Sequence, residues 1–217
     1  MEGWHPAFEE YTEAVYELRE DDVAVIQARL AERLEVSRPA VSEMIRRMVE
    51  AELVEVTDGT IRLTPSGTAI AERTVRRHRI AERFLTDMLG LPWHTAHEEA
   101  GKWEHVISEI VEKAMLDALG HPTTCPHGNP IPGADYVELD TVHLTEVEVG
   151  GGFVVQRIPE SLEFADGLLE YLEGAHLVPG QRGHVTASSP DGTMTVDIGG
   201  STVGIGAFAS ARILVSR

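Results

Sequence analysis

A-R-L-A-E-R-L-E-V-S-R-P-A-V-S (28–42) decides the fold. Residues 24–34 read as a helix, Glu35-Val36-Ser37 as a tight turn, and Ser37 as the N-cap of a further helix ending near Ala51. The Ser37 hydroxyl suits a helix start, and Pro39 falls in the first turn, where a missing N–H costs nothing. Upstream, residues 8–20 put Phe8, Tyr11, Val15 and Leu18 on one stripe of a helix. Downstream, Leu53–Val56 and Ile61–Thr64 flank Thr57-Asp58-Gly59-Thr60, whose D-G turn predicts a β-hairpin. Helix, turn, helix, hairpin is the winged helix-turn-helix arrangement.

A helix so placed enters the major groove by its first turns. Ser37, Arg38, Pro39, Ala40, Ser42, Glu43 and Arg47 lie on its N-terminal and outward turns, small residues suiting thymine methyls and polar ones base edges. Gln27 and Arg29 on the preceding helix, with Thr60 and Arg62 on the wing, would meet phosphates. Glu43 fits less well: it accepts only from cytosine N4 and otherwise repels phosphate. The plain alternative is a winged helix used for protein contacts alone.

The chain of 217 residues carries a formal charge of −18, which at first opposes nucleic acid. The distribution reverses that locally. Residues 25–49 hold five Arg against three Glu, and residues 60–85 six Arg against Glu72 and Glu82. Hydrophobic residues make up 42%, enough for folded cores rather than wholesale disorder. Cys125 is the single cysteine, so no intrachain disulfide forms, consistent with a cytoplasmic protein. The first 20 residues are too charged for a signal peptide. No stretch approaches the roughly 18 apolar residues of a membrane span.

Ser66 can cap a helix reaching about Leu89, where Gly90-Leu91-Pro92 breaks it. Thr95 and Glu98 form a capping box for a helix running to about Leu119. Both helices are apolar enough to invite a dimer interface. Residues 120–136, rich in Pro and Gly, read as an ordered connector. Short β runs follow at Val142–Val149, Phe153–Ile158, His184–Ala187, Thr193–Ile198 and Ala211–Val215, with a helix at Ala165–Leu172. That pattern favours a small barrel. Trp4, Trp93 and Trp103 read as core or interface residues.

The chemistry lies in imidazoles and carboxylates at helical spacing. His97, Gly101, Glu104 and His105 fall at i, i+4, i+7 and i+8, and His78 with Glu82 at i, i+4. Glu10 and Glu13 repeat the theme on the first helix. Alone, each pair reads as a solvated face; together they suggest a divalent-metal centre between helices. Gly101 leaves room for an ion to approach the backbone carbonyl. A hydrolytic zinc site is disfavoured, since His97-Glu98 opens an H-E-x-x-H motif whose last position is Gly101. His121, Cys125 and His127 form no complete four-ligand set within the connector and read as structural.

The whole pattern resembles the diphtheria-toxin-repressor family of metal-dependent transcriptional regulators, with its iron-dependent and manganese-dependent (MntR-like) branches. The carriers are Y-x-x-x-x-Y-E-L (11–18), A-R-L-A-E-R-L-x-x-S-x-P-x-V-S (28–42), L-T-P-S-G (63–67), R-H-R-x-A-E-R-F-L (77–85), H-E-E-A-x-x-W-E-H-V-x-S (97–108) and G-N-P-I-P-G (128–133). The resemblance implies a mainly α chain with small β parts. A winged helix-turn-helix domain (1–65) would precede a helical dimerisation and metal-binding domain (66–136) and a C-terminal SH3-like barrel of the FeoA type (141–217). It further implies an ancillary site at His78, Glu82 and His97, completed by Glu160 and Glu163 of the barrel. A primary site would hold Glu10, the Gly101 carbonyl, Glu104 and His105.

Iron-responsive members carry Met and Cys where this chain has Glu10 and Gly101. Removing both sulfur ligands leaves oxygen and imidazole, which suit Mn(II), with Fe(II) the second choice. Many manganese-responsive members have an acid at the Gly101 position, and Glu98 or Glu99 could compensate here. The expected function is a metal-loaded homodimeric repressor on an inverted-repeat operator in double-stranded DNA, controlling metal homeostasis. The alternatives of other classes are a metal-dependent hydrolase, for which no dedicated general base is evident, and a metal buffer with a vestigial DNA domain.

Overall fold

The computed structural model describes residues 6–217; Trp4 lies outside the described residues. The N-terminal unit contains α1 (Pro6–Glu20), α2 (Gln27–Arg33), α3 (Arg38–Glu50), β1 (Val54–Thr57) and β2 (Thr60–Leu63). Ser37 caps α3, its hydroxyl accepting from the Ala40 N–H at 3.3 Å. The two strands pair antiparallel with Thr57 opposite Thr60. Asp58 and Gly59 take φ of 51° and 78°, the left-handed pair that a two-residue hairpin turn requires. Leu30, Val41, Ile45, Met48 and Ile61 close over Tyr11 and Val15 as one core.

Helix α2 starts at Gln27 rather than at residue 24. Ile26 is extended, and the Val25 carbonyl accepts from the Ile61 N–H at 2.9 Å. The β-branched run before Gln27 therefore pairs with the wing instead of winding into a helix. Helix α1 also packs along α4, so it spans the junction between the first two units.

Helix α4 (Pro65–Arg83) continues into a π-type turn, Phe84–Met88. Its cap is Thr64 and not Ser66. Pro65 occupies the first helical position, and Thr64 Oγ1 accepts from the Gly67 N–H at 3.1 Å. The single helix expected from Thr95 is two, α5 (Trp93–Trp103) and α6 (Glu109–Leu119), with Ser108 capping the second. Thr95 makes no cap. Pro92 fixes the start of α5, and the Trp93 N–H is satisfied from another unit by Glu173 Oε2 at 3.0 Å.

The C-terminal unit is SH3-like. It comprises β3 (Val142–His143), β4 (Gly152–Arg157), α7 (Glu160–Glu163), α8 (Leu168–Gly174), β5 (Arg182–Ser188), β6 (Met194–Ile198), β7 (Ser201–Ile205), α9 (Ala207–Ser210) and β8 (Leu214–Ser216). The strands form one antiparallel sheet in the order β3-β8-β4-β5-β6-β7. Several expectations change, and the strand expected at 211–215 begins only at Leu214. Only two residues of 142–149 are strand, Leu144–Glu146 being a 3-10 turn. The helix expected at 165–172 begins after Gly167. Strand β7 was not anticipated, although Gly199 and Gly200, at φ of 61° and 83°, make the hairpin turn that leads into it. Val155, Val185, Val196, Ile205 and Val215 meet Leu162, Leu172 and, from α5, Trp93 in one core. Among the described residues no helix is long and apolar enough to cross a membrane.

Candidate metal centre

Helix α4 turns His78 and Glu82 to one side, a turn apart and both buried. Helix α5 lies against it and supplies His97, whose Nδ1 stands 3.0 Å from Glu82 Oε1 and 3.2 Å from His78 Nε2. From α7 comes Glu163, with Oε2 3.2 Å from His97 Nδ1 and 2.8 Å from His127 Nδ1. His127 belongs to the connector and is fully buried. Its neighbour in the loop, Cys125, places Sγ 3.8 Å from His127 Nδ1.

The other face of His78 opens on a second group. Nδ1 meets Glu104 Oε2 at 2.6 Å, and Glu104 Oε1 meets His105 Nε2 at 3.2 Å. Glu13 of α1 joins His78 and Glu104 there, with ligand-capable atoms within 4.8 Å of one another. The same closeness holds for His78, Glu82 and His97, for Glu82, Cys125 and His127, and for His97, Glu160 and Glu163. Donors from α1, α4, α5, α7 and the connector thus converge in one buried seam.

The charges in the seam are strongly interdependent. Burial opposes a charge on His97, but hydrogen bonds to Glu163 and Glu82 win and lift its pKa to about 10. Burial opposes charge on His78 too, and Glu82 with Glu104 outweighs it, raising its pKa well above the ordinary value. Burial would raise Glu82, yet the neighbouring His127 and His78 hold it well below the usual carboxylate range. Burial, with the Glu104 and Glu17 charges, pushes Glu13 well up. The Cys125 thiol is raised by burial, then by Glu82 and Glu163. The carboxylates demand positive charge, and the imidazoles meet that demand by binding protons.

The donors fit a divalent cation. Glu82 Oε2 and His127 Nε2 are buried without a hydrogen-bond partner, a costly arrangement unless each lone pair has a further use. Imidazole nitrogen and carboxylate oxygen dominate the set, suiting first-row divalent metals.

His78, Glu82, His97 and Glu163 are brought together. Glu160 sits beside them, but its Oε1 receives Arg79 Nη2 at 2.9 Å. Glu104 and His105 touch each other, while His105 Nδ1 pairs with Glu9 Oε2 at 2.8 Å. Glu10 is exposed. It lines, with Gly101, Glu13, His78 and Glu104, a cavity of about 440 Å³ between the three units. Gly101 faces open space, since an added Cβ there would meet nothing within 4 Å.

His127 and Cys125 are the residues that sequence reasoning set aside as structural. Their signal was present in C-P-H-G-N (125–129), but a search for ligands closed within the connector could not find partners on α4 and α7. His121 parts from them; it is exposed and pairs with Asp117 at 3.2 Å.

On the reading helix, Ser37, Arg38, Pro39, Ala40, Ser42 and Glu43 are all exposed, as are Gln27, Arg29 and Arg62. Glu43 is paired within the helix, its Oε1 2.6 Å from Arg46 Nη2. Arg47 leans back over Phe8, 5.5 Å from the ring centre. Arg29 pairs with Glu32 at 3.1 Å.

Comparison with known proteins adds three profile matches in succession. The iron-dependent repressor N-terminal DNA-binding domain matches residues 5–59, the iron-dependent repressor metal-binding and dimerisation domain residues 64–133, and the FeoA domain residues 142–217. The iron-dependent repressor IdeR of Mycobacterium tuberculosis is 40% identical over 206 residues, covering 88% of each chain. The diphtheria toxin repressor of Corynebacterium efficiens is 46% identical over 133 residues, covering 61% of this chain and 58% of that one. Among solved structures, a manganese-dependent transcriptional repressor in complex with manganese superposes with a TM-score of 0.85 at 32% identity, covering 96% of this chain and 98% of the other.

Proposed function

The chain belongs to the iron-dependent repressor family, and from that premise we propose that it is a homodimeric repressor gripping an inverted-repeat operator when loaded with Mn(II). That it is a metal-dependent transcriptional repressor, and not an enzyme, follows from the family. The metal, the dimer and the operator symmetry are our reading. The observation that carries it is the buried seam of His78, Glu82, His97, His127 and Glu163, joined through Glu104 to α1 of the DNA-binding unit.

In this reading residues 1–65 hold the operator, 66–136 the dimer and most ligands, and 141–217 the remaining ligands. His78, Glu82, His97, Glu160 and Glu163 form an ancillary site, with His127 and Cys125 beside it. Glu10, the Gly101 carbonyl, Glu104 and His105 form the primary site, with Glu13 at its edge. A bound divalent ion supplies the positive charge that these carboxylates otherwise draw from imidazole protons. Oxygen and imidazole donors favour Mn(II). The iron-dependent relatives favour Fe(II) as the second reading, because ligand affinity separates the two poorly.

The dimer face is the exposed apolar surface of Met88, Leu89, Val106, Ile110 and Val111, on α6 and the adjoining turns. A two-fold dimer presents both α3 helices to one side of the duplex, which sets the operator symmetry. Ser37, Arg38, Pro39, Ala40, Ser42 and Glu43 would read bases there, and Gln27, Arg29 and Arg62 would hold phosphates. These roles place the protein in the cytoplasm with the genome.

Mobility shift of genomic promoter fragments with and without Mn(II) tests the proposal. Equal binding after chelation rejects it. Competition between Mn(II) and Fe(II) under anaerobic conditions decides the metal.

A further inference from the structure

One short stretch of the SH3-like unit, Arg157–Phe164, touches both the ligand seam and the DNA-binding unit. Glu163 faces inward to His97 and His127. Arg157, the Ser161 N–H and one oxygen of Glu160 reach the other way. Arg157 Nη2 donates to Glu20 Oε2 at 2.9 Å and to Asp21 Oδ1 at 3.2 Å. The Ser161 N–H donates to Asp21 Oδ2 at 2.9 Å. Glu160 and Glu20 share Arg79, whose Nη2 lies 2.9 Å from Glu160 Oε1 and 2.6 Å from Glu20 Oε2. Glu20 and Asp21 close α1, so the end of that helix is gripped from outside its own unit.

A second grip falls on α2. The Arg33 guanidinium stacks on the Phe164 ring, 2.9 Å from its centre, and is also paired with Glu17. The same ring meets His97 edge-on, with centroids 4.9 Å apart. Phe164 therefore separates a ligand imidazole from the helix that precedes the reading helix, and touches both.

Contacts of this kind tolerate little displacement. Arg79 is wholly buried and the Asp21 side chain nearly so; moving the stretch that meets them leaves charges buried and unpaired. An arginine over an aromatic face likewise holds only at close range. The stretch thus has few positions short of letting go, and its two ends move together.

We propose that residues 157–164 act as a coupling strap, fixing the DNA-binding unit at α1 and α2 in register with the Glu163 end of the metal centre. The inference rests on the metal-dependent reading above and names how that site reaches the operator-binding helices. Loading the seam and ordering α2 become one equilibrium, so each favours the other by the same factor.

Backbone hydrogen exchange on the full-length chain, with Mn(II) alone as probe, tests the strap. In the wild type, Mn(II) is expected to slow exchange both in α5, which carries His97, and in α2, which carries no ligand. Asp21→Asn, which is isosteric, and Phe164→Leu, which keeps an apolar side chain but removes the ring, change no ligand, and they are measured singly and together. The expected result is that α5 protection survives while α2 protection by Mn(II) falls about fivefold or more. Undiminished α2 protection in the double variant overturns the strap, as does a wild type in which α5 alone responds. If Mn(II) protects neither helix in the wild type, the metal reading itself fails and takes the strap with it.

Discussion

Metal uptake by this protein should expel protons. The seam holds three imidazoles whose pKa values lie above the ordinary histidine value, His97 reaching about 10. An imidazole nitrogen cannot both carry a proton and ligate. Holding the His97 proton at pH 7 against a pKa of about 10 is worth about 4 kcal/mol, so a divalent ion must outbid it. The sign follows: below pH 10 the protonated form dominates, hence apparent affinity climbs with pH, about tenfold per pH unit for each proton displaced. Calorimetric Mn(II) titrations at pH 6 to 8, in buffers of different ionisation enthalpy, count the released protons directly. At least one per ion is expected, and His97→Gln should lower the pH slope by about one. Zero net release with a flat affinity profile would refute the electrostatic account. The chelated protein offers a cross-check. His97 is raised on folding from 6.5 to about 10, so its stabilisation is complete below pH 6.5 and is lost as pH rises through 10.

Arg79→Met strands the buried Glu160 without its cation, leaves Glu20 with Arg157 alone, and should cost about 3–5 kcal/mol in urea unfolding of the chelated protein; a loss under about 1 kcal/mol would mean the buried fork adds nothing. Gly128 holds φ of +89°, and a Cβ there would lie 2.2 Å from the Gln156 carbonyl oxygen. Gly128→Ala should therefore lose at least about 1–3 kcal/mol from backbone strain alone and weaken Mn(II) binding through the adjacent His127; wild-type stability would contradict the close approach of connector and β4. Ile110 is 82% exposed on the proposed dimer face. Ile110→Glu with Val106→Glu should give a monomer by light scattering at micromolar concentration, and a persistent dimer would place the interface elsewhere.

Much of the N-terminal unit was readable because its signals are local. Ser37, Pro39 and the Asp58-Gly59 turn each act within a few residues of themselves, and the structure follows all three. His78 with Glu82 was readable for the same reason, since a helix carries residues four apart to one side. What escaped was set by distant partners. The cap of α5 belongs to Glu173, the pairing of Val25 to Ile61, and the neighbours of His127 to Glu82 and Glu163. No window of the sequence contains those pairs. Glu13 was left undecided beside Glu10 because both stand on α1; burial separates them, and burial depends on what α4 and α5 lay against that helix.

Trp93 lies in the core of the SH3-like unit while its own helix belongs to the preceding one. The sequence boundary near residue 140 is therefore no seam for recombination. Grafting the last unit from a relative would bring a hydrophobic pocket shaped for another side chain, and deleting it would leave an indole in water and its amide uncapped. Exchange between members of the family has to carry residue 93 with the C-terminal unit, and inheritance should couple the two.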